Sequence, residues 1–130
     1  MSKKKGVSYW DKKLWTEFSK YIRQRDAGYD GWVTCITCPE YRHWKEMDAG
    51  HFVTRNAKAV KYDERNVHAQ CKSCNGFHEG KAYLYGKEID RRYGKGTADE
   101  LEAQRHVTVQ RKAYELEEMY KKYRELNNGK

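Results

Sequence analysis

Proline is nearly missing from this chain, with one residue in 130, and the ten glycines are scattered. Collagen- and elastin-like classes are therefore excluded. Long apolar runs are missing too, and no stretch approaches the ~20 residues that a bilayer crossing needs. The basic start, Met1-Ser2-Lys3-Lys4-Lys5-Gly6, is followed by no apolar h-region, which argues against a secretory signal. Apolar residues make up 38% of the chain and charged residues 35%. That is material for one small domain, or a domain plus an appended helix, with a core that needs a staple such as a metal or disulfides.

Acidic residues are in deficit. Twenty-seven Lys/Arg against nineteen Asp/Glu leave a net charge of +8. Residues 1–25 carry eight Lys/Arg and two Asp/Glu, residues 26–96 twelve and ten, and residues 97–130 seven of each. The excess survives even if four thiolates and one Zn²⁺ remove about two units. A polyanion is the natural partner, against the alternative of a basic tail that only aids solubility. Eighteen aromatics, eleven of them Tyr, suit a nucleic-acid surface and a small core equally.

Patterning places three helical stretches around an irregular middle. Leu14, Phe18, Tyr21, Ile22 and Arg25 recur at spacings of three and four, which predicts an amphipathic helix over 9–26 behind a Ser8/Asp11 capping box. Residues 28–70 lack helical period. Short β-prone runs at 31–36 and 51–54 predict a small hairpin region with a polar loop at 55–64. Residues 75–93 read as a helix interrupted near Gly76 and Gly80. A capping box at 97–100 opens a long helix to about Leu126. Along it Val109, Ala113, Leu116, Tyr120 and Tyr123 keep a heptad step. The expected organisation is a tail at 1–8, a stapled domain at 9–96, and a C-terminal helix at 97–130 that packs on the domain or mediates dimerisation.

The cysteines form two pairs, Cys35-x-x-Cys38 and Cys71-x-x-Cys74, with none left over. Two such knuckles bring four sulfurs around one point and suit tetrahedral Zn²⁺. Zinc is preferred to redox chemistry, and a reducing compartment to disulfides. Between the knuckles lies Asp48-Ala49-Gly50-His51-Phe52. Around the second lies Asp63-Glu64-Arg65-Asn66-Val67-His68-Ala69-Gln70-Cys71-Lys72-Ser73-Cys74-Asn75. A lone His in a short apolar strand is usually structural, so the surrounding pattern decides its reading.

That pattern resembles a zinc-stapled ββα-metal nuclease of the HNH or His-Cys-box type. More closely, Ile22-Arg23-Gln24-Arg25-Asp26, the first CxxC, Asp48-Ala49-Gly50-His51, and Glu64-Arg65-Asn66-Val67-His68-x-Gln70-Cys71-x-x-Cys74-Asn75 resemble the NinG/Rap family of lambdoid phage recombination proteins. The likeness covers roughly residues 18–95. It implies an α+β fold with a small ββα-metal core, an N-terminal amphipathic helix and a long C-terminal helix. It also implies structure-selective cleavage of branched recombination intermediates, including Holliday junctions and D-loops. The implied setting is the cytoplasm of a bacterial host during infection, with phage or host recombination proteins as further partners and no membrane.

In that fold His51 is the general base, Asn66 ties the hairpin by bonding backbone groups across it, and Asn75 ligates a catalytic Mg²⁺ or Mn²⁺. Such hard ions take oxygen ligands. Asp48 is a candidate further ligand, although strand alternation aims it away from His51. His78, three residues after Asn75, is a candidate ligand or phosphate contact. Arg55 is either a phosphate clamp or a solvent-facing loop residue, and His68 is either structural or a phosphate donor. Lys58, Lys61, Arg65, Lys72 and Lys81 are candidate backbone contacts. No base-reading helix is evident, so selection by DNA shape is expected. A two-fold junction needs two cuts, which favours a homodimer. The competing reading is a zinc-dependent nucleic-acid-binding protein without catalysis.

Overall fold

The computed structural model describes residues 4–77 and 81–129. The first helix, α1 (Val7–Asp26), begins where the Trp10 amide bonds the Gly6 carbonyl. Ser8 therefore lies inside the first turn and is not the cap. The expected tail at 1–8 is correspondingly shorter, because Val7 and Ser8 are already helical. The apolar stripe has the expected consequence: Leu14, Phe18 and Ile22 are fully buried.

The middle of the chain is mixed α+β. Strands β1 (Trp32–Thr34) and β2 (Tyr41–His43) pair antiparallel, and a single 3₁₀ turn, Trp44–Glu46, follows them. Strands β3 (Asp48–His51) and β4 (Val67–Gln70) form a second antiparallel pair, with Asp48 opposite Gln70 and His51 opposite Val67. The strand expected at 51–54 thus lies three residues earlier. It ends at His51 because a side chain, not a neighbouring strand, takes the Val53 backbone groups. The polar loop after it contains Arg55 and runs to Asn66. A π-helical segment, Ser73–Phe77, then precedes α2 (Ala82–Tyr93).

The long C-terminal helix is two helices, α3 (Thr97–Ala103) and α4 (Ala113–Asn128). Val107-Thr108-Val109 lies in the break, where β-branched side chains weaken helix. The expected cap of α3 is also corrected. Gly96 occupies the N-cap, Thr97 is helical, and the first turn is satisfied from α2, whose Asp90 carboxylate accepts the Ala98 amide at 2.8 Å. At the start of α4 the Glu115 carboxylate accepts the Lys112 amide at 2.9 Å.

The chain divides into two compact units. Residues 1–21 and 110–130 form one, and Ile22–Val109 the other. The division cuts through α1. In the first unit Phe18 meets Tyr123 edge-on with ring centroids 5.0 Å apart, and the Asn127 amide donates to the Glu17 carbonyl at 2.9 Å. Leu116 and Tyr123 of the heptad are buried within this unit, so that face of α4 packs on α1 of its own chain. Among the described residues of the second unit two apolar clusters stand out. Val53, Val60, Tyr85, Ile89 and Leu101 centre one, and Val33, Met47, Ala69 and the cysteines the other.

Candidate functional site

The two knuckles converge. Cys35 and Cys38 belong to the connection between β1 and β2, while Cys71 and Cys74 follow β4. All four sulfurs lie within 4.8 Å of one another, and those of Cys38 and Cys71 are 3.7 Å apart. Tetrahedral sulfurs at a Zn–S distance of about 2.3 Å are separated by about 3.8 Å. The Cys35 sulfur accepts the amides of Thr37 and Cys71 at 3.4 and 3.2 Å. Burial alone would raise the Cys35 thiol, but the hydrogen bonds from Thr37 and Cys71 outweigh it and bring it down to about 7. Burial pushes the Cys38 thiol up to about 12. Thiolates this close need a cation to share, and the all-sulfur donor set could hold one zinc ion.

The end of α1 is bolted to β4. Arg25 donates one guanidinium nitrogen to the Glu64 carbonyl and another to the Val67 carbonyl, each at 2.8 Å. Asp26 accepts the Ala69 amide at 2.9 Å and a third bond from Arg25. These side chains grip the hairpin backbone, a role that the sequence motif around them did not reveal.

Asn66 is fully buried. Its oxygen accepts the Val53 amide at 2.8 Å, and its nitrogen donates to the carbonyls of Val53 (2.9 Å) and Val60 (3.1 Å). It closes the loop that carries Arg55 and Lys61 against the end of β3. His51, the last residue of β3, has its Nε2 3.0 Å from the Lys61 carbonyl within that loop. A carbonyl only accepts, so Nε2 holds the proton and Nδ1 carries the lone pair. Burial, aided by the positive charges of Lys61 and Arg55, pulls the imidazole down to about 4. The imidazole is therefore neutral at pH 7. Arg55 is exposed and its charge acts on His51.

At the other end of β3, Asp48 accepts Lys72 Nζ at 2.7 Å on one oxygen and Asn75 Nδ2 at 3.1 Å on the other. Burial opposes ionisation of Asp48, yet the bonds from Lys72 and Asn75 hold its carboxyl below the usual range. The structure thus brings Asp48 to Asn75, and Arg55 and Lys61 to His51. His78 lies outside the described residues. Lys72, expected to contact DNA backbone, is ion-paired to Asp48. Arg65 is bound to Asp63 and Glu100 rather than presented alone.

His68 is structural. It is fully buried, and burial pulls it down to about 3. The Tyr85 hydroxyl donates to the Gly50 carbonyl, so it accepts from His68 Nδ1, 3.2 Å away. His68 Nε2 then accepts from the Tyr93 hydroxyl at 2.8 Å. This imidazole–tyrosine chain ends on the residue before His51. Nothing in the spacing of Tyr85 or Tyr93 announced it.

Among the described residues no helix is long and apolar enough to cross a membrane. A family model described as "NinG: Bacteriophage Lambda NinG protein" matches residues 1–128. Protein ninG of Escherichia phage 933W is 35% identical over 100 residues, which is 76% of this chain and 47% of that protein. Protein ninG of Escherichia phage lambda and that of Salmonella phage P22 are each 34% identical over 100 residues, with the same shares covered. The chain spans about half the length of the curated relatives it matches. No solved structure matches it.

Proposed function

The chain belongs to the bacteriophage NinG family, and on that premise we propose that it is a metal-dependent, structure-selective DNA endonuclease. The proposed centre is a ββα-metal site of the HNH type, related to that of Rap nucleases. The observation that carries this reading is the hydrogen bond from His51 Nε2 to the Lys61 carbonyl. A hydrolytic base needs one ring nitrogen held so that the other is basic, and this bond holds Nε2 and puts the lone pair on Nδ1.

His51 would take a proton from the attacking water at Nδ1. Its depressed value keeps it unprotonated in the free protein. An approaching phosphate brings negative charge to the imidazole, favours the imidazolium and so strengthens the base when substrate is present. Arg55 would clamp the same phosphate through its guanidinium fork. Asn66 is a positioning residue: it holds the loop whose carbonyl orients His51. A Mg²⁺ or Mn²⁺ ion, when bound, supplies charge neutralisation at the phosphate and the departing 3′ oxygen. Asp48 and Asn75 would offer oxygen donors to such a hard ion once Lys72 and the Asn75 amide nitrogen, which hold the two Asp48 oxygens here, give way. Strand, strand, then helix, with the second knuckle at the join, is the order such a core needs.

The test is cleavage of a labelled four-way junction with Mg²⁺ or Mn²⁺, wild type beside His51→Ala, with junction binding measured in parallel. The variant is expected to lose about a hundredfold or more in cleavage rate while binding as wild type does. Wild-type protein that binds but never cuts with either ion would make this a zinc-dependent nucleic-acid-binding protein instead. Two cuts on a two-fold junction call for a homodimer, and a monomeric mass by sedimentation at working concentration would count against that part of the reading.

A further inference from the structure

Most of the net positive charge belongs to the unit that does not contain the proposed hydrolytic residues. Residues 1–21 and 110–130, the helical unit, hold twelve Lys/Arg and six Asp/Glu, a net +6 of the chain's +8. Residues 22–109 hold fifteen and thirteen. Four thiolates with one Zn²⁺ would remove about two further units there and leave that unit close to neutral. Essentially all of the attraction for a polyanion then belongs to a unit with no cysteine and none of the residues assigned to hydrolysis.

Within the helical unit the charges are interleaved with rings. Lys5 Nζ lies 5.2 Å and Lys13 Nζ 5.7 Å from the centre of the Tyr9 ring. Lys13 also lies 5.3 Å from the Tyr120 ring, and the Arg124 guanidinium 6.0 Å from it. Trp10 joins the two rings, 5.0 Å from Tyr9 and 5.6 Å from Tyr120. The Tyr9 side is open, with the residue 39% exposed. Cations set over rings are arranged to meet phosphates and bases together.

We propose that the Lys5–Tyr9–Lys13–Tyr120–Arg124 surface of the helical unit is a second nucleic-acid-binding site, taking a DNA strand by its backbone phosphates with a base stacked on Tyr9. The site deepens the DNA reading above by naming where the substrate is held. It does not depend on cleavage. The lysines supply charge for phosphate and, in turning to it from the Tyr9 ring, yield a π-face that any base can use; neither reads sequence.

The test uses the zinc-loaded full chain and measures fluorescence anisotropy of a four-way junction and of a single strand, without Mg²⁺ or Mn²⁺, across a salt series. Triple substitution Lys5→Gln, Lys13→Gln and Arg124→Gln is expected to weaken junction binding at least tenfold. It should also flatten the salt slope by about two to three. Tyr9→Ala is expected to weaken single-strand binding about tenfold. Lys5→Arg with Lys13→Arg should restore wild-type affinity, and unchanged far-UV circular dichroism shows that the variants fold. Wild-type affinity and slope in the triple variant would overturn the proposal. So would unchanged DNA binding together with lost binding to anionic phospholipid vesicles, which would assign the surface to a membrane. Because no cut is read, failure of the nuclease reading leaves this outcome decisive.

Discussion

Asn66 reaches back thirteen residues and bonds both the N–H and the C=O of Val53. Backbone pairing ends with the Phe52 amide on the Asn66 carbonyl, the Asn66 side chain takes over at Val53, and a third bond to the Val60 carbonyl closes the loop. Asn66→Ala would leave three buried backbone groups without that partner. The expected cost is about 3 kcal/mol, read as a lower urea midpoint. A loss below about 1 kcal/mol would mean that water replaces the amide and the clamp is dispensable.

Gly50 meets a second constraint. A Cβ built there would collide with Gln70 Oε1 on the facing strand. Gly50→Ala must push the Gln70 side chain off its bond to Thr37 or spread the pair. A destabilisation of about 1–3 kcal/mol is expected, seen as a lower melting temperature. Wild-type stability would show that Gln70 moves freely.

Chelation should act on the second unit as a folding event. Zinc is expected at one ion per chain by atomic spectroscopy. Its removal should expose all four thiols to a thiol reagent and lower the strand signal, because Cys35 and Cys71 join β1–β2 to β3–β4 across one centre. Thiols that stay protected in excess chelator would contradict this.

Acid should destabilise the protein through its histidines. His51 and His68 are held below the ordinary 6.5 mainly by burial, to about 4 and about 3. Between those values and 6.5 the unfolded chain binds protons that the folded one does not. Their contribution is therefore fully present above about pH 6.5 and is lost as pH falls toward 4 and then 3. The loss is on the order of 2–3 kcal/mol from His51 alone. His68→Gln should flatten the stability–pH curve measured by denaturant titration. An unchanged curve would place the acid sensitivity elsewhere.

Within the proposed nuclease reading the same depression has a kinetic outcome. Single-turnover cleavage, with the imidazole raised by the bound phosphate, should fall with an apparent pKa above the free protein's value of about 4. A profile that falls only near 4 would show that the phosphate does not act on His51.

The spacing of the four cysteines specified their convergence, because a CxxC turn can present two sulfurs to one point and little else in the chain can satisfy the other two. The step of Leu14, Phe18 and Ile22 specified the buried stripe of α1. Helix ends were less legible: Thr97 looks like a cap until Asp90, on another helix, supplies the bond. The heptad step through Val109 ignored the β-branched run that parts α3 from α4.

The sequence by itself determined the four-cysteine donor set, the excess of positive charge and the amphipathic helix. Only the tertiary structure decided that the Lys61 carbonyl orients His51 and that Arg25 and Asp26 grip β4. It alone joined His68 to two tyrosines and Asp48 to Asn75. The reason is physical: periodicity and ligand spacing are written in side-chain identity, whereas a backbone carbonyl or amide is the same at every residue. Which of them becomes a partner is settled only when distant segments pack.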